Sequence, residues 1–288
     1  MKKILLLVSS ISLLANGLYA QDNNATGHEQ KTFRFGLKIS PTPTWLRSNE
    51  LNYIKNDGIK LGFGFGLQTE FSINSTASFV TGLGGDFLGG KQTYLKGQGY
   101  VLTKDNEYTE SKNTIFKEVN TTATDKKFYE INSRTTKISY VTIPIMLKLM
   151  TKDIAHFKYF GVFGGNIAIQ TKFRVTDEIT ELKYNNTKSY YEENGKSNIT
   201  EMRPDGDLIP VNLGLNAGIG AEYNLSGSTS VFVSLNYLRG FINQYQNTSE
   251  IMVDQIRENL NNNPKTTPKS SKQSALSDGI QLNIGILF

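Results

Sequence analysis

Two histidines, no cysteine and a scatter of carboxylates set the chemistry open to this 288-residue chain. Without cysteine there is no thiol catalysis and no thiolate metal site. A hydrolase working through a general base needs a His beside a Ser or an Asp. His28 precedes the first periodic segment, and His156 falls in a short turn, away from the long connections that could build a site. Asp205-Gly206-Asp207 could meet Ca2+ but lacks the further oxygens of a calcium loop, so a polar turn fits better. Glu192-Glu193 and Asp177-Glu178 are expected to be solvated loop charge. The glycine runs open no helix and match no phosphate cradle. The expectation is a chain that is not an enzyme, with no catalytic residue, no cofactor and no metal site.

Five other charged residues stand out by their neighbours: Lys38, Glu70, Asp86, Lys148 and Glu222 each share one strand face with Gly, Asn or Gln. The elements that must position them are eight stretches in which apolar residues recur every second position, the pattern of half-buried strands. They run over 32–40, 60–73, 77–88, 138–150, 157–172, 211–225, 229–241 and from 280 to the end. In the second, Leu61, Phe63, Phe65, Leu67 and Phe71 oppose Gly62, Gly64, Gly66, Gln68 and Glu70. The fifth is the least regular.

Connection length alternates. Tight turns at 74–75, 152–153 and 226–228 alternate with long stretches at 41–59, 89–137, 173–210 and 242–279. Outer-membrane barrels have this asymmetry, with an even strand number, short periplasmic turns and long outer loops. The predicted fold is all-β: an eight-stranded antiparallel transmembrane up-and-down barrel with both termini periplasmic and long extracellular loops. A soluble β-sandwich would also alternate, but nothing in it would impose the length asymmetry. A Lys or Arg facing lipid near the midplane costs ~2–4 kcal/mol. The face carrying the five charges is therefore the lumen, where a packed polar network is expected, with a narrow water path as the alternative. Phe288 ends the last strand and is expected to close the barrel as an interfacial aromatic. Pro144 cannot donate to a ladder, which predicts a bulge there. Met252, Val253, Ile256 and Leu260 predict a short loop helix over 249–260.

Lys2 and Lys3, an apolar run over 4–14 and a small residue at Ala20 before Gln21 predict a secretory signal peptide over 1–20. Residues 21–31 would then be a short periplasmic segment and 32–288 the barrel. The formal charge of +5 comes from lysines scattered through polar stretches, which argues against a nucleic-acid partner. A mean hydropathy of −0.35 does not argue against a barrel, because alternation hides its strands from hydropathy.

The run Tyr140-Val141-Thr142-Ile143-Pro144-Ile145-Met146-Leu147-Lys148-Leu149 resembles the Ile-Pro-(apolar)₃-Lys strand of the PorT-like outer-membrane β-barrel family of Bacteroidota. The resemblance extends to 62–71, 79–91, 160–164 and 237–241 and is silent on the outer loops. It implies a non-enzymatic barrel, acting through its outer loops or as an accessory to a secretion or assembly machine. A narrow porin is the alternative. Expected partners are outer-membrane lipids and lipopolysaccharide, the barrel assembly machinery, and secretion-system or surface proteins.

Overall fold

The computed structural model describes residues 32–102, 127–154, 156–185, 190–204, 207–254 and 270–288. Ala20, Gln21 and His28 lie outside them. Twelve strands are present among the described residues: β1 (Phe33–Arg47), β2 (Ile54–Asn56), β3 (Lys60–Asn74), β4 (Ala77–Leu102), β5 (Lys127–Met150), β6 (Phe157–Asn185), β7 (Tyr190–Met202), β8 (Val211–Ser226), β9 (Thr229–Gly240), β10 (Thr248–Asp254), β11 (Ser270–Lys272) and β12 (Leu276–Leu287). Eight of them form an antiparallel ring in the order β1, β3, β4, β5, β6, β8, β9, β12, and β12 pairs back onto β1. A closed ring leaves no unpaired edge around the wall.

Alternation sets what each wall residue faces. Leu37, Ile39, Phe65, Leu67, Val233 and Ile284 point out and are exposed, whereas Ser40, Thr42, Gln68, Ser234, Asn236 and Asn283 point in and are buried. Outward aromatics gather at the short-turn end: Phe33 against Phe71 (5.2 Å between centroids), Phe157 against Tyr223 (4.8 Å) and Phe35 against Phe288 (5.5 Å). Phe288 also exchanges backbone hydrogen bonds with Phe35, which seals β12 to β1.

The turns explain themselves locally. The Asn74 side chain accepts from the backbone N–H (2.9 Å) and hydroxyl (3.1 Å) of Thr76, an Asx-type turn. Gly227, with φ of 57°, supplies the left-handed residue between β8 and β9. His156 takes φ of 72° in the turn before β6, its ring set edge-on 6.3 Å from Tyr223.

At the other end the strands continue past the outward apolar band. β4, β5 and β6 stay paired out to Leu102, Lys127 and Leu182, β7 folds back onto β6, and β2 and β10 pair with β4. The alternation that persists in the long connections, in Phe128 to Ile131 and Phe173 to Val175, predicts strands that outrun the membrane, and both stretches are strand. The helix expected from residue 249 is not formed where the structure describes it. Thr248–Asp254 is strand β10, because its backbone groups pair with β4 and β11, and 255–260 lie outside the described residues.

Pro144 causes no bulge: its register against β6 is regular, and on the β4 side the pairing merely lapses between Thr81 and Gly84 without a shift. The nearest bulge lies at the Ser139/Tyr140 pairing with Lys172 and Gln170. It explains the fifth segment's irregularity, because one extra residue in β6 swaps its faces. Phe163 and Ile167 point out below it, whereas Phe173, Val175 and Asp177 point in above it.

Candidate functional site

The inward faces stack into three layers. The lowest, near the short turns, is an ion cluster built by β1, β3, β5 and β8. Glu70, Lys148 and Glu222 are almost completely buried. Lys148 Nζ donates to Glu70 Oε2 at 3.1 Å and to Glu222 Oε2 at 2.8 Å, and lies 4.5 Å from the Phe160 ring centre. Arg34 completes the cluster. It hydrogen-bonds both oxygens of Glu222, and its Nη2 forms an ion pair with Glu70 Oε1 at 3.0 Å. Two cations and two carboxylates thus bridge the interior in alternation. Phe160, Val162, Phe232 and Leu287 pack beside them as an apolar floor. Buried charges persist in this way only when each meets an opposite charge and further hydrogen bonds.

The middle layer is a chain of hydroxyls and amides. Ser40 donates to Asn283 (2.7 Å), Asn283 to Ser234 (3.1 Å), Ser234 to Asn236 (2.9 Å), and Asn236 to Asn216 (2.7 Å). Asn216 reaches Asn166 at 3.4 Å, so the chain crosses from β1 to β6. Lys38 Nζ joins it through Asn283 Oδ1 at 3.5 Å and feels the charge of Asp86. Above, Asp86, Thr142, Asn212, Ser277 and neighbouring residues line a cavity of about 50 Å³.

The top layer, above the residues marked by the sequence, is apolar. Leu46, Ile54, Tyr100, Ile131, Phe173, Val175, Ile179, Tyr245 and Met252 form one apolar core inside the extended strands. Asp177, expected in solvent, is wholly buried there. It accepts from Arg134 Nε and Nη2, each at 2.7 Å, and the guanidinium carbon lies 6.0 Å from the rings of Tyr94 and Tyr245. The β6 bulge turned it inward. Its neighbour Glu178 is outside, where the hydrogen bond from Lys91 (3.0 Å) holds its carboxyl below the usual carboxylate range. Burial pushes the Tyr94 hydroxyl well above its ordinary pKa. Asp207 accepts from the Ser249 hydroxyl, whose oxygen takes the N–H groups of Ile251 (3.0 Å) and Met252 (2.8 Å), so it organises the start of β10. Among the described residues no three His, Asp or Glu converge as metal ligands.

Of the five charges marked by the sequence, the structure brings Glu70, Lys148 and Glu222 into one cluster and places Lys38 and Asp86 higher. Sequence reasoning missed Arg34, the Asn chain and Arg134. Arg34 shares parity with Lys38, so alternation could have found it. Arg134 lay in what read as a loop.

A closed eight-stranded ring with an apolar outer belt and a polar-lined interior is the architecture of an outer-membrane barrel. Residues 19–246 match the family model of the outer membrane protein beta-barrel domain. The chain belongs to that family. The barrel is therefore an outer-membrane protein, and its outward belt is solvated by lipid. No curated protein matches it in sequence. Among solved structures, it is similar to OprG from Pseudomonas aeruginosa, at 11% identity over 91% of this chain and 99% of that one, with a TM-score of 0.38. It is also similar to Neisserial surface protein A, at 9% identity over 88% and 96% with a TM-score of 0.36. Ail of Yersinia pestis follows at 12% identity over 88% and 98%, with a TM-score of 0.28. At such scores these likenesses carry no functional argument.

Proposed function

We propose that the barrel is a closed, non-enzymatic membrane anchor that acts through the superstructure on its long-loop end, with both termini periplasmic after removal of residues 1–20. The observation that carries this reading is the filled interior. An ion cluster, an amide chain and an apolar core lie one above another across the lumen, and the cavity of about 50 Å³ between them is too small for a solute. Eight-stranded barrels have an interior that side chains can fill. The role as an accessory of a secretion or assembly machine rests on the PorT-like resemblance of 140–149. The loop superstructure, rich in strands that outgrow the membrane, supports a protein or lipid partner on that side.

Planar-bilayer recording of the purified barrel tests it. The expected trace has no large, steady channel. Steady conductance that changes sign of ion selectivity in Glu70→Lys or Lys148→Glu would instead establish the narrow-porin reading. Crosslinking in native outer membrane then separates a machine component, which yields stoichiometric envelope partners, from a free-standing surface protein.

A further inference from the structure

Just above the lipid belt, on the outer wall, four cations crowd one carboxylate. Lys137 on β5 faces Arg174 directly across the ladder to β6, and Lys172 faces Ser139 one step below. Lys60 arrives from β3. Its stem crosses Gly89, where a Cβ would lie only 2.8 Å from it, and Gly89 is the ladder partner of Lys137. Glu201 completes the group: Met202 beside it is anchored in the upper core, and Glu201 itself takes φ of 58° and lies 2.9 Å from Lys137 Nζ. These residues line an outward cleft of about 280 Å³ whose lower wall is Leu61 and Phe87.

Like charges directly opposite across a ladder destabilise the pairing. Among the described residues a single carboxylate, Glu201, offsets one of four cations here. The hydrogen bond from Lys137, with the charges of Lys172 and Arg174, holds that carboxyl below its usual range. Non-glycine residues seldom occupy the left-handed region that Glu201 adopts. The cluster also sits at one height only, where the apolar wall ends and long basic side chains can reach the headgroup level.

We propose that this cleft binds a phosphate of a phosphorylated glycolipid in the outer leaflet, with the acyl chains lying against Leu61 and Phe87. The proposal rests on the reading that the long-loop end faces outward, and it names the lipid class which that side would hold. Three cations left without a carboxylate among the described residues match a phosphate, and the exposed Leu61, 76% accessible, gives the chains an apolar wall that a soluble anion would not use.

The test uses the full barrel in detergent, titrated with bisphosphorylated lipid A and with its dephosphorylated counterpart and followed by native mass spectrometry. The phosphorylated lipid should be retained and the dephosphorylated one lost. Lys137→Ala/Arg174→Ala should weaken retention by roughly tenfold, whereas Glu201→Gln, which removes the competing carboxylate, should strengthen it. Lys55→Ala, an exposed lysine on β2, should change nothing. Heat-modifiable migration of every variant verifies folding. Equal retention of both lipids, wild-type retention by the double variant, or displacement by inorganic phosphate at equal concentration would overturn the site. Orientation is tested separately with Lys196→Cys in this cysteine-free chain. Maleimide labelling in intact cells supports the outer leaflet, and labelling only after lysis overturns that assignment whatever the detergent titration gives.

Discussion

Arg134 and Asp177 form a two-pronged ion pair, 2.7 Å on each arm, in the apolar core above the lipid belt. Both side chains are at most 1% accessible. Removing one member of such a pair leaves a buried charge alone, which costs about 3–5 kcal/mol. Asp177→Ala should therefore loosen the upper core and leave the belt intact. Limited proteolysis should cut 89–102 and 127–137 in the variant, while the remainder still migrates as a heat-modifiable barrel. Loss of the whole barrel would show that the two regions fold as one unit.

Lys148 holds Glu70 and Glu222 apart in the lower layer. Lys148→Met leaves two buried carboxylates to one arginine and should cost about 3–5 kcal/mol in urea unfolding. Adding Glu70→Gln should restore most of this, because the Arg34–Glu222 pair then stands neutral on its own. The single tryptophan, Trp45, reports the transition. A double variant no more stable than the single one would mean that the cluster contributes through packing.

Ile284 points into lipid between Ile39 and Val233, at the centre of the outward run from Ile280 to Phe288. Ile284→Arg should destabilise the folded barrel by ~2–4 kcal/mol. Asn283→Ser, one residue along and facing the lumen, should change stability far less. Folded yield in lipid vesicles separates them, and equal losses would mean that the two faces are exchanged.

Gly82 lies where β3 and β4 approach closely, and a Cβ there would sit 2.1 Å from the Leu67 carbonyl oxygen. It also occupies the gap in pairing opposite Pro144. Gly82→Val should force the strands apart at a cost of roughly 1–3 kcal/mol. Pro144→Val, which offers an N–H to that gap, should be neutral or stabilising in the same vesicle assay.

The wall of this barrel was legible in the sequence because a period of two is a local property. Leu61 to Phe71 alternate strictly, so their faces, and with them the lumen position of Glu70, follow from order alone; Lys60, at the strand's start, escapes that parity and turns outward across Gly89. The C-terminal alternation places Phe288 outward for the same reason, and the structure pairs it with Phe35. What the tertiary structure alone decided begins where locality fails. One extra residue near Gln170 reverses the faces of β6, and the reversal turns Asp177 from solvent into the core. The upper core joins Ile54, Tyr100, Phe173, Met202, Tyr245 and Met252, which belong to separate connections and meet only because the ring has closed beneath them. The helical spacing around Met252 was overridden by ladder partners on β4 and β11, since backbone groups beside a buried core must pair with whatever strand lies next to them. The outer basic cleft likewise exists only once β3, β4, β5, β6 and β7 stand side by side.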